Sequence, residues 1–559
     1  MSTGIGDLSL AEIEQLLDVL SPDELLDLEQ LLPTPAAAVT EARTALADPL
    51  RWAQTELPEL ASFAPGAHHE TLAALIPPDG PQGVRAAVGA PRGSGKSTIL
   101  LGLIPIIVAI RRSHRFVVVI RDNLPDAITS VAGIRRLLEA HPRLTVDWPW
   151  LAPIAGSEGV LELVGGTVIM ARSTGSAIRG LNRTLVDGTV IRPDLVLCDD
   201  LEDETSARSS LQVSRLREWI LAAVGQLGGP PGTAETGGPM DLIVIGTTIE
   251  RDALMSMMLA GSGPFASWTR HRFPAAATVA TADGVYDVPA GVTSPLVTVD
   301  TEGHYVALPV PDDVGAGDTV PLWPEGMPLS YLAKLTDASS PLFVGSVLYA
   351  REYLLRPTSR SDVLFAQANT VFVDGLAADW LSGDLDVEYL VTAVDPAISK
   401  SEAADYSAVV VVGLVRPYGS RPDGKPHRRR LVIPYAERRR VGPTELLDWV
   451  ETVHATWTPA GRVTFEAEGA FAWAADELRR RRSVPVRAVT SGGADKRTRA
   501  VPLSVWQEAG RLELDAGLRG SDLDREFHGF TGTGTEEHDD LCDAMVYGGS
   551  YVTNAWRRS

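Results

Sequence analysis

The sequence predicts an α/β protein of two domains, each built around a sheet covered by helices. Three observations carry this. From about residue 84, short β-branched runs such as "VRAAVGA" and "RFVVVI" alternate with helical segments, the pattern of a mainly parallel sheet. A second alternation begins near residue 388 with "YLVTAVD" and "AVVVVGLV". The chain of 559 residues also exceeds the roughly 250–300 residues that one hydrophobic core serves.

Taken in order, residues 1–60 form an acidic helical segment. Ser9 with Glu12, and Ser21-Pro22 with Glu24, give two helix-start boxes, and Leu16, Leu17, Leu20, Leu25, Leu26 and Leu28 supply an apolar face. Residues 61–357 hold the first α/β pattern. It is interrupted by the Gly/Pro-rich loop Gly225–Pro239 and, near 280–320, by Val-rich runs between Gly, Pro and Asp that read as a small β insertion. The boundary falls around 358–370, a linker runs over 358–387, and the second domain spans 388–559.

Composition narrows the class. Apolar content of 45% with 22% charged residues is that of a chain that folds. The longest apolar run, "ILLGLIPIIVAI", contains Pro105 and stops at Arg111, short of the ~20 residues of a membrane span, so no membrane role is expected. Two cysteines, Cys198 and Cys542, make no disulfide framework and fit a reducing cytoplasm. A net charge of −22 argues against coating of nucleic acid, although a channel needs only a local basic lining.

The stretch "VGAPRGSGKSTIL" follows a strand and opens a helix. Gly93, Ser94, Gly95, Lys96, Ser97 and Thr98 form a phosphate cradle: backbone N–H groups at a helix start face the anion, Lys96 neutralises it, and the Ser97 hydroxyl ligates Mg²⁺. ATP with Mg²⁺ is the expected ligand. Ala90 stands where the usual pattern has glycine, which is tolerable if its φ is negative. In "RPDLVLCDDLED" an apolar strand ends on Asp199, expected to hold the Mg²⁺, and Asp200, with Glu202 as the rival, is expected to activate water. "DLIVIGTTIERDAL" is a third strand, running into Gly246, Thr247 and Thr248, whose hydroxyls either report hydrolysis or serve ordinary turn chemistry.

The second domain spaces its acids along strands and a helix. Asp395 ends the strand "YLVTAVD", Glu466 and Glu468 share a face of "VTFEAE", and Asp540 and Asp543 share a face of the helix in "HDDLCDAMVYGG". Several carboxylates on rigid element ends are what two-metal phosphodiester cleavage needs, whereas each acid alone reads as a turn or a cap. Lys496, Arg497 and Arg499 open a helix, where cations oppose the dipole, and are candidate contacts to a DNA backbone. The runs Arg479–Arg482 and His427–Arg430 read as solvated faces.

The stretches "AIRGLNRTLVDGTVIRPDLVLCDDLED", "IVIGTTIERDAL", "LWPEGMPLSYLAKL" and "HDDLCDA" resemble the large terminase subunit of tailed bacteriophages, over about residues 85–555. The resemblance implies a P-loop NTPase domain with a mainly parallel sheet, followed by a ribonuclease H-like nuclease domain. It implies that Arg92 acts in cis on phosphate charge, that Gly246, Thr247 and Thr248 couple hydrolysis to motion, and that Asp395, Glu466 and Asp543 are the nuclease triad. Asp540 is then a further metal ligand, Asp405 an outer participant, and two Mg²⁺ or Mn²⁺ ions the cofactors. The family usually has Glu where Asp200 stands. The implied activity is ATP-driven movement of double-stranded DNA into a procapsid with endonucleolytic cutting. The implied partners are the small terminase subunit, the portal protein and further copies of the chain in a ring, acting in the host cytoplasm and docked transiently on the procapsid. Two other classes fit the same motifs: a repair or helicase-like ATPase with a nuclease domain, and a nucleotide-gated assembly protein that does not cut.

Overall fold

The computed structural model describes residue 40 and residues 42–558 apart from 63, 155–156, 186–187, 230–237, 280–285, 288–296, 300–304, 308–318, 358, 360–361, 398–405, 418–427, 467–471, 482–483, 490–494 and 534–537. The acidic helices expected within residues 1–33 lie outside the described residues. So do Asp405, Glu468, His427 and Arg482. The chain divides into two compact units, residues 1–329 with 351–357, and residues 330–350 with 358–559.

The first unit is organised by six parallel strands: β1 (Arg85–Gly89), β2 (Phe116–Arg121), β3 (Val168–Ser173), β4 (Leu195–Asp199), β5 (Asp241–Gly246) and β6 (Thr269–Arg272). Their spatial order is β6-β1-β5-β4-β2-β3, with short antiparallel strands added at both edges. Alternation along each strand divides the apolar residues between two cores. Val88, Val117, Val119, Leu197 and Ile243 enter one core, and Ala87, Val118, Ile120, Cys198 and Val244 the other. Helices therefore cover both faces, and the crevice at the carboxyl ends of the strands is the place where an open α/β sheet of this kind binds ligands. Because β5 lies between β1 and β4, the glycine loop, the Asp199-Asp200 pair and Gly246 all emerge side by side. The β insertion consists, among the described residues, of the sheet formed by Ala276–Val279, Tyr286–Asp287 and Thr319–Pro321, and of a hairpin, Val297–Val299 with Tyr305–Ala307, on the edge of the main sheet.

In the second unit the strands are β7 (Val387–Asp395), β8 (Ser407–Val415), β9 (Arg430–Arg439), β10 (Arg462–Glu466), β11 (Val486–Val489) and β12 (Leu512–Asp515). β7, β8 and β9 form an antiparallel meander, and β10 and β11 continue the sheet in parallel beyond β7. The resulting order, β9-β8-β7-β10-β11, is the ribonuclease H-like arrangement, extended past β9 by β12 and the edge strand Val371–Val373. That edge strand and the helix α1 (Leu376–Ser382) fall in the stretch expected to be linker. Trp380 fills the space above Gly413, where a β-carbon would stand 2.4 Å from its ring. Gly548 lets the last helix approach Ala393 and Val412 in the same way. No helix among the described residues is long and apolar enough to cross a membrane.

Candidate functional sites

In the glycine loop, Gly93 (φ 74°) and Gly95 (φ 77°) take the left-handed backbone that turns the chain after β1, while Ala90 does not. The missing first glycine thus leaves the loop intact. A β-carbon on Gly95 would stand 2.9 Å from His69 Nε2. His69 and His68 both donate from Nε2 to the Ser94 carbonyl, at 2.7 and 2.8 Å. Burial, together with its neighbour His69, lowers the pKa of His68 to about 3, and burial also lowers that of His69, so both rings are neutral donors. Tying back the one carbonyl leaves the loop's N–H groups for an anion. These two histidines carry no recognisable spacing in the sequence; only the fold brings residues 68 and 69 under the loop. Beside them a cavity of about 210 Å³ is lined by Gln54, Leu60, Thr98 and Trp323.

Lys96 is buried, with its Nζ 3.9 Å from Asp200 Oδ2. Asp199 is fully buried, and among the described residues neither of its carboxylate oxygens has a hydrogen-bond partner; Arg121 lies at 3.5 Å. Burial raises the pKa of Asp199 to about 6, Asp200 adds to the shift, and Lys96, the Ser97 hydroxyl and Arg121 oppose it. A buried, unsatisfied carboxylate beside a serine hydroxyl suits a Mg²⁺ ion, and Ser97 and Asp199 are the residues that would hold it. The sign of the linkage follows. With the folded pKa above the unfolded one, stability is lost as pH rises through about 6 and recovered below the unfolded value near 4. In EDTA, Asp199→Asn is therefore expected to stabilise the chain by about 2 kcal/mol at pH ~7.5, and the gain should vanish near pH ~4. Thermal melts at the two pH values check this, and an unchanged or lowered melting temperature at the higher pH would contradict it.

Asp200 adopts φ 42°, in the left-handed region, and its Oδ1 lies close to Gly246. Glu202 is already committed: its two oxygens accept from Leu254 N and Met255 N at 2.8 and 3.1 Å, capping helix α2 (Leu254–Ala260), where no side-chain cap is otherwise present. The rival acid is thus a cap, and Asp200 is the one that faces Lys96. Glu202→Ala should lower stability by ~1–3 kcal/mol, read by denaturant melts, whereas Asp200→Asn should lower ATP turnover without that loss. Equal effects of both variants on turnover at unchanged stability would reverse the assignment.

Arg92 is paired with Glu352, side chain to side chain at 3.1 Å and backbone to backbone at 3.0 Å. Glu352 follows the buried Arg351, which pairs with Glu204 and with Glu352 itself. Thr248, also buried, donates to the Arg351 carbonyl at 3.3 Å. Thr247, Gly246 and Asp200 line, with Arg351 and Glu352, a cavity of about 260 Å³. The segment 351–357 thus touches both the glycine loop and the end of β5, and nothing in its sequence announces this.

In the second unit Asp395 ends β7, and the parallel register Val394↔Phe465 sets Glu466 level with it on the neighbouring strand. The Glu466 side chain lies outside the description. Helix α4 (Asp540–Arg558) begins at the same end: Tyr406, just before β8, meets His538 edge to face at 5.1 Å, and Ala408 is opposite Asp395. Asp543 is buried, and Lys496 Nζ stands 2.6 Å from both its carboxylate and that of Asp539. Burial lifts Asp543 to about 6 against the pull of Lys496; burial would depress Lys496, but Asp543 and Asp539 together hold it above its ordinary value. An ammonium held between two inward carboxylates marks a place that favours positive charge, which fits divalent metal there, with Asp395, Asp540 and Asp543 as described candidates. Among the described residues no group of three acids or histidines yet stands close enough to hold a metal ion. Buried Glu526 caps α4 by accepting from Leu541 N and Cys542 N; its pKa is pushed up to about 7 by burial, against Arg438.

The three expected DNA contacts fare differently. Lys496 faces the acids. Arg497 is buried and donates to the carbonyls of Asp362 and Thr531, so it ties loops together. Arg499 lies over the Tyr547 ring and bonds its hydroxyl. The dipole objection to cations at the start of helix α3 (Lys496–Glu508) is met by Asp495, which caps it. Arg479, Arg480 and Arg481 pair with acids on an exposed face. At the acidic end the cations missed in the sequence are Arg438 and Arg440, whose guanidinium groups flank Tyr406 at 4.4 and 4.1 Å.

These features define a phosphate-loop α/β domain followed in sequence by a domain with the ribonuclease H-like strand order. No family model matches the chain, and no curated protein matches it. Solved structures do. The large terminase from a thermophilic bacteriophage aligns over 88% of this chain and 99% of its own, at 8% identity and a TM-score of 0.49. The same protein in complex with ATP-gamma-S aligns over 87% and 98%, at 9% identity and 0.47. The large terminase nuclease from a second thermophilic phage, with bound magnesium, aligns over 34% and 97%, at 14% identity and 0.24. Likeness this distant leaves the functional case to the residues themselves.

Proposed function

We propose that the chain is a large terminase: an ATP-driven motor that moves double-stranded DNA into a procapsid and cuts it with a metal-dependent nuclease. The observation that carries this reading is the coexistence, in one chain, of a buried Asp199 with unsatisfied oxygens beside Lys96 and Ser97, and of Asp395, Glu466 and Asp543 at one end of a ribonuclease H-like sheet.

In the first unit the loop N–H groups and Lys96 bind the β and γ phosphates of ATP. Asp200 orients the attacking water and accepts its proton, and Arg92 reaches the phosphate charge by exchanging Glu352 for it. Thr247 and Thr248 relay the change to the segment 351–357 through the Arg351 carbonyl. The apolar cavity at Leu60 and Trp323 takes the base. Bound Mg²⁺ would neutralise phosphate charge as it leaves. In the second unit Asp395, Glu466, Asp540 and Asp543 are the residues that would hold two Mg²⁺ or Mn²⁺ ions, which when bound would supply water activation and neutralisation of charge on the leaving oxygen. Lys496 contacts the strand being cut, and Arg438 and Arg440 hold flanking phosphates. The partners that follow are the small terminase subunit, the portal protein and other copies of the chain in a ring, in the host cytoplasm.

Displacement of a triplex-forming strand from intact duplex by purified protein and ATP tests the motor, with plasmid digestion alongside. ATP-driven separation of a short duplex without triplex displacement would place the chain among helicase-like ATPases. ATP binding with no cutting in Mg²⁺ or Mn²⁺ would make it an assembly protein.

A further inference from the structure

The second unit carries a second polar centre, at the end of its helices remote from the acids. Lys496 opens α3 and Trp506 lies ten residues on, roughly 15 Å along the helix. Trp556 lies at the far end of α4, edge to face with Trp506 at 6.5 Å. Between them opens a cavity of about 530 Å³ into which Arg428, Arg511 and Arg557 also project.

Among the described residues the charge of three arginines here is not matched by acids. Arg429 is neutralised by Glu388, at 2.6 Å. Arg511 has no such acid: its guanidinium lies 4.0 Å over the Trp506 ring and its Nε donates to the Arg429 carbonyl. Arg428 donates to the carbonyls of Ala338 and Ser340. Among the described residues no carboxylate pairs with Arg428, Arg511 or Arg557. Burial, with Arg428 and Arg429 facing it, pushes Arg511 down to about 10, the direction expected of cations crowded without an anion. Helix dipoles explain part of this, since α3 and α4 both end nearby and a cation suits each end. One arginine per helix end would serve that purpose; three around two indoles that line the cavity exceed it.

We propose that this cavity binds a nucleoside phosphate, the guanidinium groups taking the phosphate and an indole taking the base. Planar guanidinium forks match phosphate oxygens, tryptophan faces stack on any base, and the volume is that of a small-ligand site. The same chemistry is offered by a free nucleotide and by the unstacked end of a DNA strand.

The test titrates the full chain carrying Lys96→Ala, which disables the phosphate loop, in EDTA at physiological salt. The probes are fluorescent ADP and a short 5′-phosphorylated oligothymidylate. One of them should saturate, with affinity falling about tenfold in Arg511→Gln and measurably in Arg557→Gln, whose melting temperature should match that of the parent. Saturation by ADP identifies a free nucleotide as the ligand; saturation by the oligonucleotide alone identifies a strand end. Three results would overturn the proposal: neither probe saturates, neither arginine variant changes the affinity, or polyglutamate competes as well as the probes, which would make the cavity a dock for an acidic protein segment.

Discussion

Lys96→Ala is expected to lower ATP turnover by at least about a hundredfold while metal-dependent plasmid cutting persists. Lys96 is buried, its ammonium is 3.9 Å from Asp200, and it is the cation of the glycine loop itself. Arg92, the other cation near the loop, is spoken for by Glu352 until something displaces it. Without Lys96, phosphate charge entering the loop meets only backbone N–H groups, and Asp200 loses the counter-charge that holds it toward the site. The acids of the second unit belong to a separate sheet and hold their own cation, Lys496. Steady-state phosphate release and plasmid nicking, measured on one preparation, check the pair of expectations. Normal turnover in the variant would remove the nucleotide site from the glycine loop.

The second large effect is expected from Asp543→Asn, which should reduce plasmid cutting on the order of 10³-fold and leave ATP turnover unchanged. The substitution keeps the shape of a buried side chain and removes its charge, so a loss of cutting reports on metal binding and chemistry. It also frees Lys496 from one of its two carboxylates. Asp395→Ala should produce the same loss of cutting. Undiminished cutting by either variant, in material free of contaminating nuclease, would mean that the scission site lies elsewhere.

What could be read in the sequence was local. Alternating β-branched runs gave the strands because burial on both faces writes itself into composition, and "GSGKST" and "CDD" gave their places on a strand end and a helix start. The order of Asp395, Glu466 and the "HDD" helix could likewise be read, and the pairing of β7 with β10 turns that order into adjacency. What could not be read was every contact made at long range. His68 and His69 reach the loop across about 25 residues, Glu352 reaches Arg92 across 260, and Glu202 differs from Asp200 only by what it caps. Cationic residues were the least legible: a helix-opening Lys-Arg-Thr-Arg reads the same in the sequence whatever its partners, and the carboxylates, carbonyls and tyrosine that it holds here come from distant parts of the chain.

The positive φ of Asp200 bears on which acid this position accepts. Among side chains other than glycine, asparagine and aspartate adopt that backbone with least penalty, about 1–2 kcal/mol being the usual cost for others. The shorter acid and the twisted peptide are therefore a matched set. Installing the longer acid alone would leave its extra methylene on a backbone bent to suit the short one, so Asp200→Glu, conservative on paper, should behave as a disruptive change unless a second substitution lets the strand end relax.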